Sequence, residues 1–235
     1  MIESNRAPWA AAIGGGVIGS VLTAGLLVLA GPSLFGEKLV RDALVSNPDM
    51  LVEAGEAYRD RQYASTIGPL RASLEAPFHS SWKGAAKPEV TLTYFYDYAC
   101  GYCRQSNPAL EKLIAEDKGL RVVYRELPIL GPESVAAARV ALAASKAGRF
   151  AAFHDALNAA GRPSQQTIAL AARAAGVSPQ PVNDPAQEAE LKSNMTAAEQ
   201  LGATGTPLFV VGDRVINSAV GYDGLKEAIA AARKG

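Results

Sequence analysis

Cys100 and Cys103 are the only cysteines in a chain of 235 residues, and they stand together in the stretch FYDYACGYCRQ. Such a pair serves as a structural staple, as part of a metal centre, or as a redox couple. A bridge between i and i+3 encloses so little chain that it removes almost no unfolded-state entropy, so a staple is unrewarding. A closed zinc site wants four ligands, and the histidines, His79 and His154, lie far from the pair with no ligand spacing. No metal is expected there. A redox couple needs only what is present, because residues i and i+3 in the first turn of a helix share a face and come close enough to bridge.

The flanks support that geometry. VTLTYFYDY before the pair is β-branched and aromatic, hence a strand, and the residues after it read as a helix with a kink near Asn107 set by Pro108. Cys100 then falls at a helix N-terminus, where unpaired N–H groups and the dipole favour a thiolate. It is the expected attacking sulfur, and Cys103, one turn further along, resolves the mixed disulfide. Asp97 reads as a cap for the helix start, with a proton relay for Cys103 as the alternative. Between the cysteines, Gly101 and Tyr102 complete the motif. Tyr102 either shields the pair, packs on substrate, or is an ordinary exposed turn residue.

The remaining elements must position this junction. LRVVYRELPI is a second strand, Leu120 to Leu127, and from Pro132 to about Gln200 the chain is helical, with breaks at Gly148, GRPS and SPQPVNDP. LFVV and VI then return to strand around a Gly212-Asp213 turn, and Leu225 to Arg233 closes the chain as an amphipathic helix. This order predicts an α/β domain, a mixed sheet with helices on its faces and a helical subdomain inserted at about 132–200. Acidic and basic residues balance at 23 each, which argues against nucleic acid as a partner.

The N-terminal segment differs. Trp9 to Gly31 carries no charge and is long enough to cross a bilayer as a transmembrane helix. Residues 1–31 are expected to anchor the chain in the inner membrane, with a cleaved signal peptide and a soluble periplasmic product as the alternative. Either reading delivers the rest outside the cytoplasm, where disulfides persist. Residues 32–89 form a helical stalk and linker: Asn47 caps a helix that starts at Pro48, ends near Thr66 and is interrupted by Gly68-Pro69. Gly15 and Gly19 in the anchor, or the thin apolar stripe of the stalk, are the candidates for homo-oligomer contacts. The main domain is 90–235.

FYDYACGYCRQ, followed far downstream by GATGTPLFVVGD, resembles the DsbA family of thioredoxin-fold thiol-disulfide oxidoreductases. NPDML and ELPILGPES are similar to its stalked branch related to ScsC. The resemblance implies a thioredoxin-like fold and protein dithiol-disulfide exchange with no cofactor beyond the Cys100–Cys103 disulfide. It implies a cis bond between Thr206 and Pro207 in a loop that faces the cysteines and positions substrate. Partners would be extracytoplasmic proteins with cysteines and a membrane redox partner that recycles the pair. There are departures. Pro-His between the cysteines of many DsbA oxidases is Gly101-Tyr102 here, as in DsbC-type isomerases, and the family's buried glutamate position holds Tyr94. With no cation in the motif the couple should be less oxidising, which leans towards isomerase or reductase, unless Arg104 or Arg125 supplies the charge. The rival readings are a tethered binding or chaperone module and a copper-handling module, each with a non-catalytic pair.

Overall fold

The computed structural model describes residues 36–180 and 184–234. In chain order these form α1 (36–46), α2 (Asp49–Glu75), β1 (Trp82–Gly84), β2 (Val90–Tyr96), α3 (Gly101–Glu116) and β3 (Leu120–Glu126). Helices α4 (Pro132–Lys146), α5 (Phe150–Ala160), α6 (Gln165–Ala175) and α7 (Pro185–Gln200) follow. The chain closes with β4 (Leu208–Val211), β5 (Arg214–Ile216) and α8 (Gly221–Ala232).

Strands β2 and β3 are buried at nearly every position, the pattern of strands covered on both faces. They pair in parallel, from Val90 opposite Leu120 to Tyr96 opposite Glu126. A parallel pair needs a long crossover, and α3 supplies it. β4 lies antiparallel on the other side of β2, with β5 beyond it and β1 on the far edge, giving the order β1-β3-β2-β4-β5. Alternation along β2 then decides the layers. Leu92, Tyr94 and Tyr96 face a core completed by Leu110 and Leu113 of α3, Phe150 and Phe153 of α5, and Leu225 and Ile229 of α8. Phe95 faces the opposite core, with Ile67 and Leu74 of α2 and Ala198 of α7. The mixed sheet with a four-helix insertion between β3 and β4 is the expected architecture.

Two elements differ from the sequence reading. Helix α2 does not stop at Gly68-Pro69 but runs on to Glu75 with Pro69 inside it. Pro69 sacrifices a helix hydrogen bond, and burial of Ile67 and Leu74 on either side offsets that loss. Arg125 secures the end: its guanidinium donates to the carbonyls of Ser73, Leu74 and Ala76 and pairs with Glu190 at 2.6 Å. The second difference is β1, a three-residue edge strand inside the expected linker. WKG lacks alternation, and its strand form comes from pairing with β3 and from Arg121 over the Trp82 ring at 4.8 Å.

The chain divides into two compact units, Met1–Ala57 and Tyr58–Gly235. The second therefore takes in residues 58–89, which the sequence assigns to the stalk and linker. No described helix is long and apolar enough to cross a membrane. The expected anchor, Trp9 to Gly31, lies outside the described residues.

Candidate active site

The site forms where β2 leaves the sheet. Asp97, buried, turns the chain: its Oδ1 accepts from the Ala99 N–H at 2.7 Å, and its carbonyl accepts from the Cys100 N–H at 3.0 Å. Its Oδ2 accepts from the N–H groups of Ile129 and Leu130, both at 2.9 Å. Asp97 is therefore not the cap of α3. Its carboxylate is occupied by the turn and by the loop after β3, because that loop runs alongside the end of β2 with N–H groups no strand partner satisfies.

Cys100 itself caps the helix. Its backbone is extended (φ −76°, ψ 121°) and its sulfur accepts from the Cys103 N–H at 3.4 Å. An N–H donor and a helix N-terminus thus point at this sulfur, an arrangement suited to an anion. Both cysteines are free thiols, 6% and 2% exposed. Burial drives the Cys103 thiol up to about 12, opposed by hydrogen bonding from the Asp97 backbone and the Thr206 side chain.

The loop before β4 arrives from the far half of the chain. Its Thr206–Pro207 bond is cis, and the Cys100 thiol donates to the Thr206 carbonyl at 3.2 Å. Cys100, Cys103, Thr206 and Pro207 are thus brought together. Tyr102 is 65% exposed in the first turn of α3. A side chain built at Gly101 would meet nothing within 4 Å, so the protein's own packing does not require glycine there. A cleft of about 530 Å³ opens beside the pair, lined by Ala99, Leu130, Glu133, Arg162 and Ser164 among others.

Arg104 and Arg125, the arginines considered from the sequence, each have neighbours other than the thiols. Arg125 is committed to the end of α2 and to Glu190. Arg104 lines a separate cavity of about 420 Å³ between α3 and α5, with Asn107, Glu111 and His154. Among the described residues, no group of three or more His, Cys, Asp or Glu could hold a metal ion.

Two features escaped the sequence reading. One is the contact made by Tyr94, whose hydroxyl donates to the Cys103 carbonyl at 3.2 Å. The other is a buried chain of polar groups below the turn. Tyr96 donates to Glu126, lies 3.1 Å from the Tyr98 hydroxyl, and Tyr98 in turn meets His154 Nδ1 at 3.1 Å. Burial holds Glu126 well above the usual carboxylate range and takes His154 down to about 3, so His154 is neutral near pH 7. The period-2 spacing of Tyr94 and Tyr96 was the available signal, since it puts both on one sheet face. Nothing in the sequence announces that His154 meets them.

Comparison with known proteins places this geometry. A family profile described as a DSBA-like thioredoxin domain matches residues 91–230. The chain is similar to a periplasmic thioredoxin-like protein from Salmonella enterica serovar Typhimurium, at 32% identity, TM-score 0.65, over 71% of this chain and 97% of that one. It is similar to a thioredoxin-like oxidoreductase from Silicibacter pomeroyi, at 36% identity, TM-score 0.66, over 70% and 98%. The catalytic domain of Proteus mirabilis ScsC aligns at 26% identity, TM-score 0.67, over 73% and 98%. A curated relative, Na(+)/H(+) antiporter NhaA 3 of Salinispora tropica, is 31% identical over 171 residues, 65% of this chain. The chain spans about a quarter (26%) of that relative's length.

Proposed function

This chain belongs to the DSBA-like thioredoxin domain family, near ScsC, and from that premise we propose that it exchanges dithiols for disulfides in proteins outside the cytoplasm. The observation that carries the reading is the contact of the Cys100 thiol with the Thr206 carbonyl, which sets the N-cap sulfur beside the half-buried backbone that leads into the cis-proline. An extended substrate segment can lie along that backbone while its sulfur meets Cys100.

In the reducing direction the Cys100 thiolate attacks one sulfur of a substrate disulfide. The Cys100–substrate bond forms, the substrate S–S bond breaks, and the other substrate sulfur leaves as a thiolate and takes a proton. Cys103 then loses its proton, attacks Cys100 Sγ and expels the first substrate sulfur, which leaves protonated. Two electrons have moved from the enzyme dithiol to the substrate. In the oxidising direction each step reverses. Gly101-Tyr102 supplies no cation, and Arg125 is engaged elsewhere, which favours isomerase or reductase over oxidase.

The same reading gives the protein an anchor at Trp9–Gly31, a catalytic domain in the periplasm, cysteine-bearing protein substrates and a membrane redox partner that keeps the pair supplied with electrons. The periplasmic relative supports the location. Exposed apolar side chains along α1 and α2, Leu39, Val45, Leu51 and Val52, support self-association through the stalk. That arrangement would raise the effective concentration of catalytic domains around one substrate.

The test is reactivation of scrambled ribonuclease, alongside insulin reduction, by the full chain and by Cys100→Ser. Activity in both assays that vanishes in the variant supports the reading. An unreactive wild-type pair makes the domain a binding or copper-handling module.

A further inference from the structure

Resolution of a mixed disulfide requires Cys103 to act as a thiolate, yet this sulfur is 2% exposed, and the buried carboxylates and imidazole around the turn, Asp97, Glu126 and His154, are each bound elsewhere. Asp97 spends its carboxylate on the N–H groups of Ala99, Ile129 and Leu130. Glu126 is bound to Tyr96, and His154 to Tyr98. What does reach Cys103 is a set of donors. The Thr206 side chain and the Asp97 backbone both hydrogen-bond to its sulfur. From below, the fully buried Tyr94 hydroxyl donates to the Cys103 carbonyl at 3.2 Å, and the Cys103 side chain is among the groups that hold its ionisation well above the ordinary range.

We propose that Tyr94 is a catalytic residue that donates its phenolic hydrogen bond to Cys103 Sγ as that sulfur becomes anionic, in place of a base that removes its proton. The inference rests on the exchange chemistry proposed above. In the resolving step the Cys103 proton ends on the departing substrate sulfur, the Cys100–substrate bond breaks and the Cys100–Cys103 bond forms. Tyr94 keeps its own proton throughout and only turns its hydroxyl from the Cys103 carbonyl to the sulfur. A buried phenol is well suited to this, because its own anion is strongly disfavoured there and it remains a donor. Hydrogen bonds to a charged group are worth more than neutral ones, and a bond made only as charge develops lowers the barrier instead of the ground state. The ring is held for this, stacked between Tyr96 at 5.2 Å and Phe209 at 4.8 Å.

The test uses the reduced full-length protein and Ellman's reagent in a stopped-flow cell. Attack by Cys100 releases one thionitrobenzoate, and resolution by Cys103 releases the second. In Tyr94→Phe the first phase is unchanged and the second slows about ten- to a hundredfold. Tyr124→Phe, which removes another buried hydroxyl from the same sheet face, leaves both phases as in wild type. An unslowed second phase in Tyr94→Phe, or equal slowing in Tyr124→Phe, overturns the inference. 3-Fluorotyrosine placed at position 94 keeps the ring and strengthens the donor, so it should resolve at least as fast as wild type; slower resolution also overturns it. Failure of wild type to release the second equivalent sinks the exchange reading itself, a separate result from either variant's.

Discussion

The Cys100 thiol donates to the Thr206 carbonyl across 3.2 Å, joining residues 106 positions apart. The contact exists because β2 lies between β3 and β4 in the sheet. Its C-terminal end launches α3, and the loop entering β4 from the opposite direction must pass the same spot. Inserting four helices between β3 and β4 leaves this meeting untouched, since both ends of the insertion return to the sheet.

The two sulfurs differ in access and partners, so they should behave differently as mutants. Cys103→Ser leaves Cys100 to form mixed disulfides that nothing resolves, and these accumulate with substrate proteins on non-reducing gels. Cys100→Ser should trap almost none, because Cys103 is buried and, with its thiol near 12, is ionised at pH 8 to only about one part in ten thousand. Equal trapping by both variants would contradict the assignment.

Asp97 should prove a positioning residue. Asp97→Asn turns an amide towards the N–H groups of Ile129 and Leu130, and unfolding in urea should show a loss of about 2–4 kcal/mol. Exchange by the molecules that remain folded should fall far less than the hundredfold or more that loss of a proton relay costs. A variant that is stable but inactive would reinstate the relay.

Arg125 ought to matter for stability and not for chemistry. Its guanidinium gathers the last carbonyls of α2 and pairs with Glu190 in a buried setting. Arg125→Met removes those donors and strands the Glu190 carboxylate, which should cost about 3–5 kcal/mol. Ellman kinetics below the unfolding transition should match wild type. Altered kinetics there would mean that the charge acts on the thiols after all.

Much of this was legible in the chain because it is local. Val90–Tyr96 and Leu120–Glu126 declare themselves through β-branched and aromatic residues, and the cysteine pair through its place between a strand and a helix. What the sequence hid depends on partners brought from elsewhere. Pro69 reads as a stop only until Arg125 and the second core hold α2 beyond it. Asp97 reads as a cap, because its spacing from the helix fits and the N–H groups of Ile129 and Leu130 cannot be foreseen. Tyr94 stands out in the sequence only as the occupant of the family's buried glutamate position, and it is the approach of α3 that brings the Cys103 carbonyl to its hydroxyl.

The buried chain Glu126–Tyr96–Tyr98–His154 makes a prediction about acid and alkali. His154 is held neutral down to about pH 3, while the unfolded chain protonates it near 6.5. Between those values the unfolded state binds more protons, so this group's contribution to stability is full above about 6.5 and is lost as pH falls towards 3. The slope is at most about 1.4 kcal/mol per pH unit. Glu126 acts in the opposite sense. Its folded form stays protonated above the unfolded value of 4.5, so its contribution is full below about 4.5 and is lost as pH rises. Just above 4.5 the two slopes oppose each other. Urea unfolding from pH 3.5 to 9 should therefore separate them. Relative to wild type, His154→Gln should lose the acid limb and be least harmful at low pH, and Glu126→Gln should lose the alkaline decline and gain on wild type as pH rises. Curves that run parallel to wild type for both variants would show that neither group is held neutral.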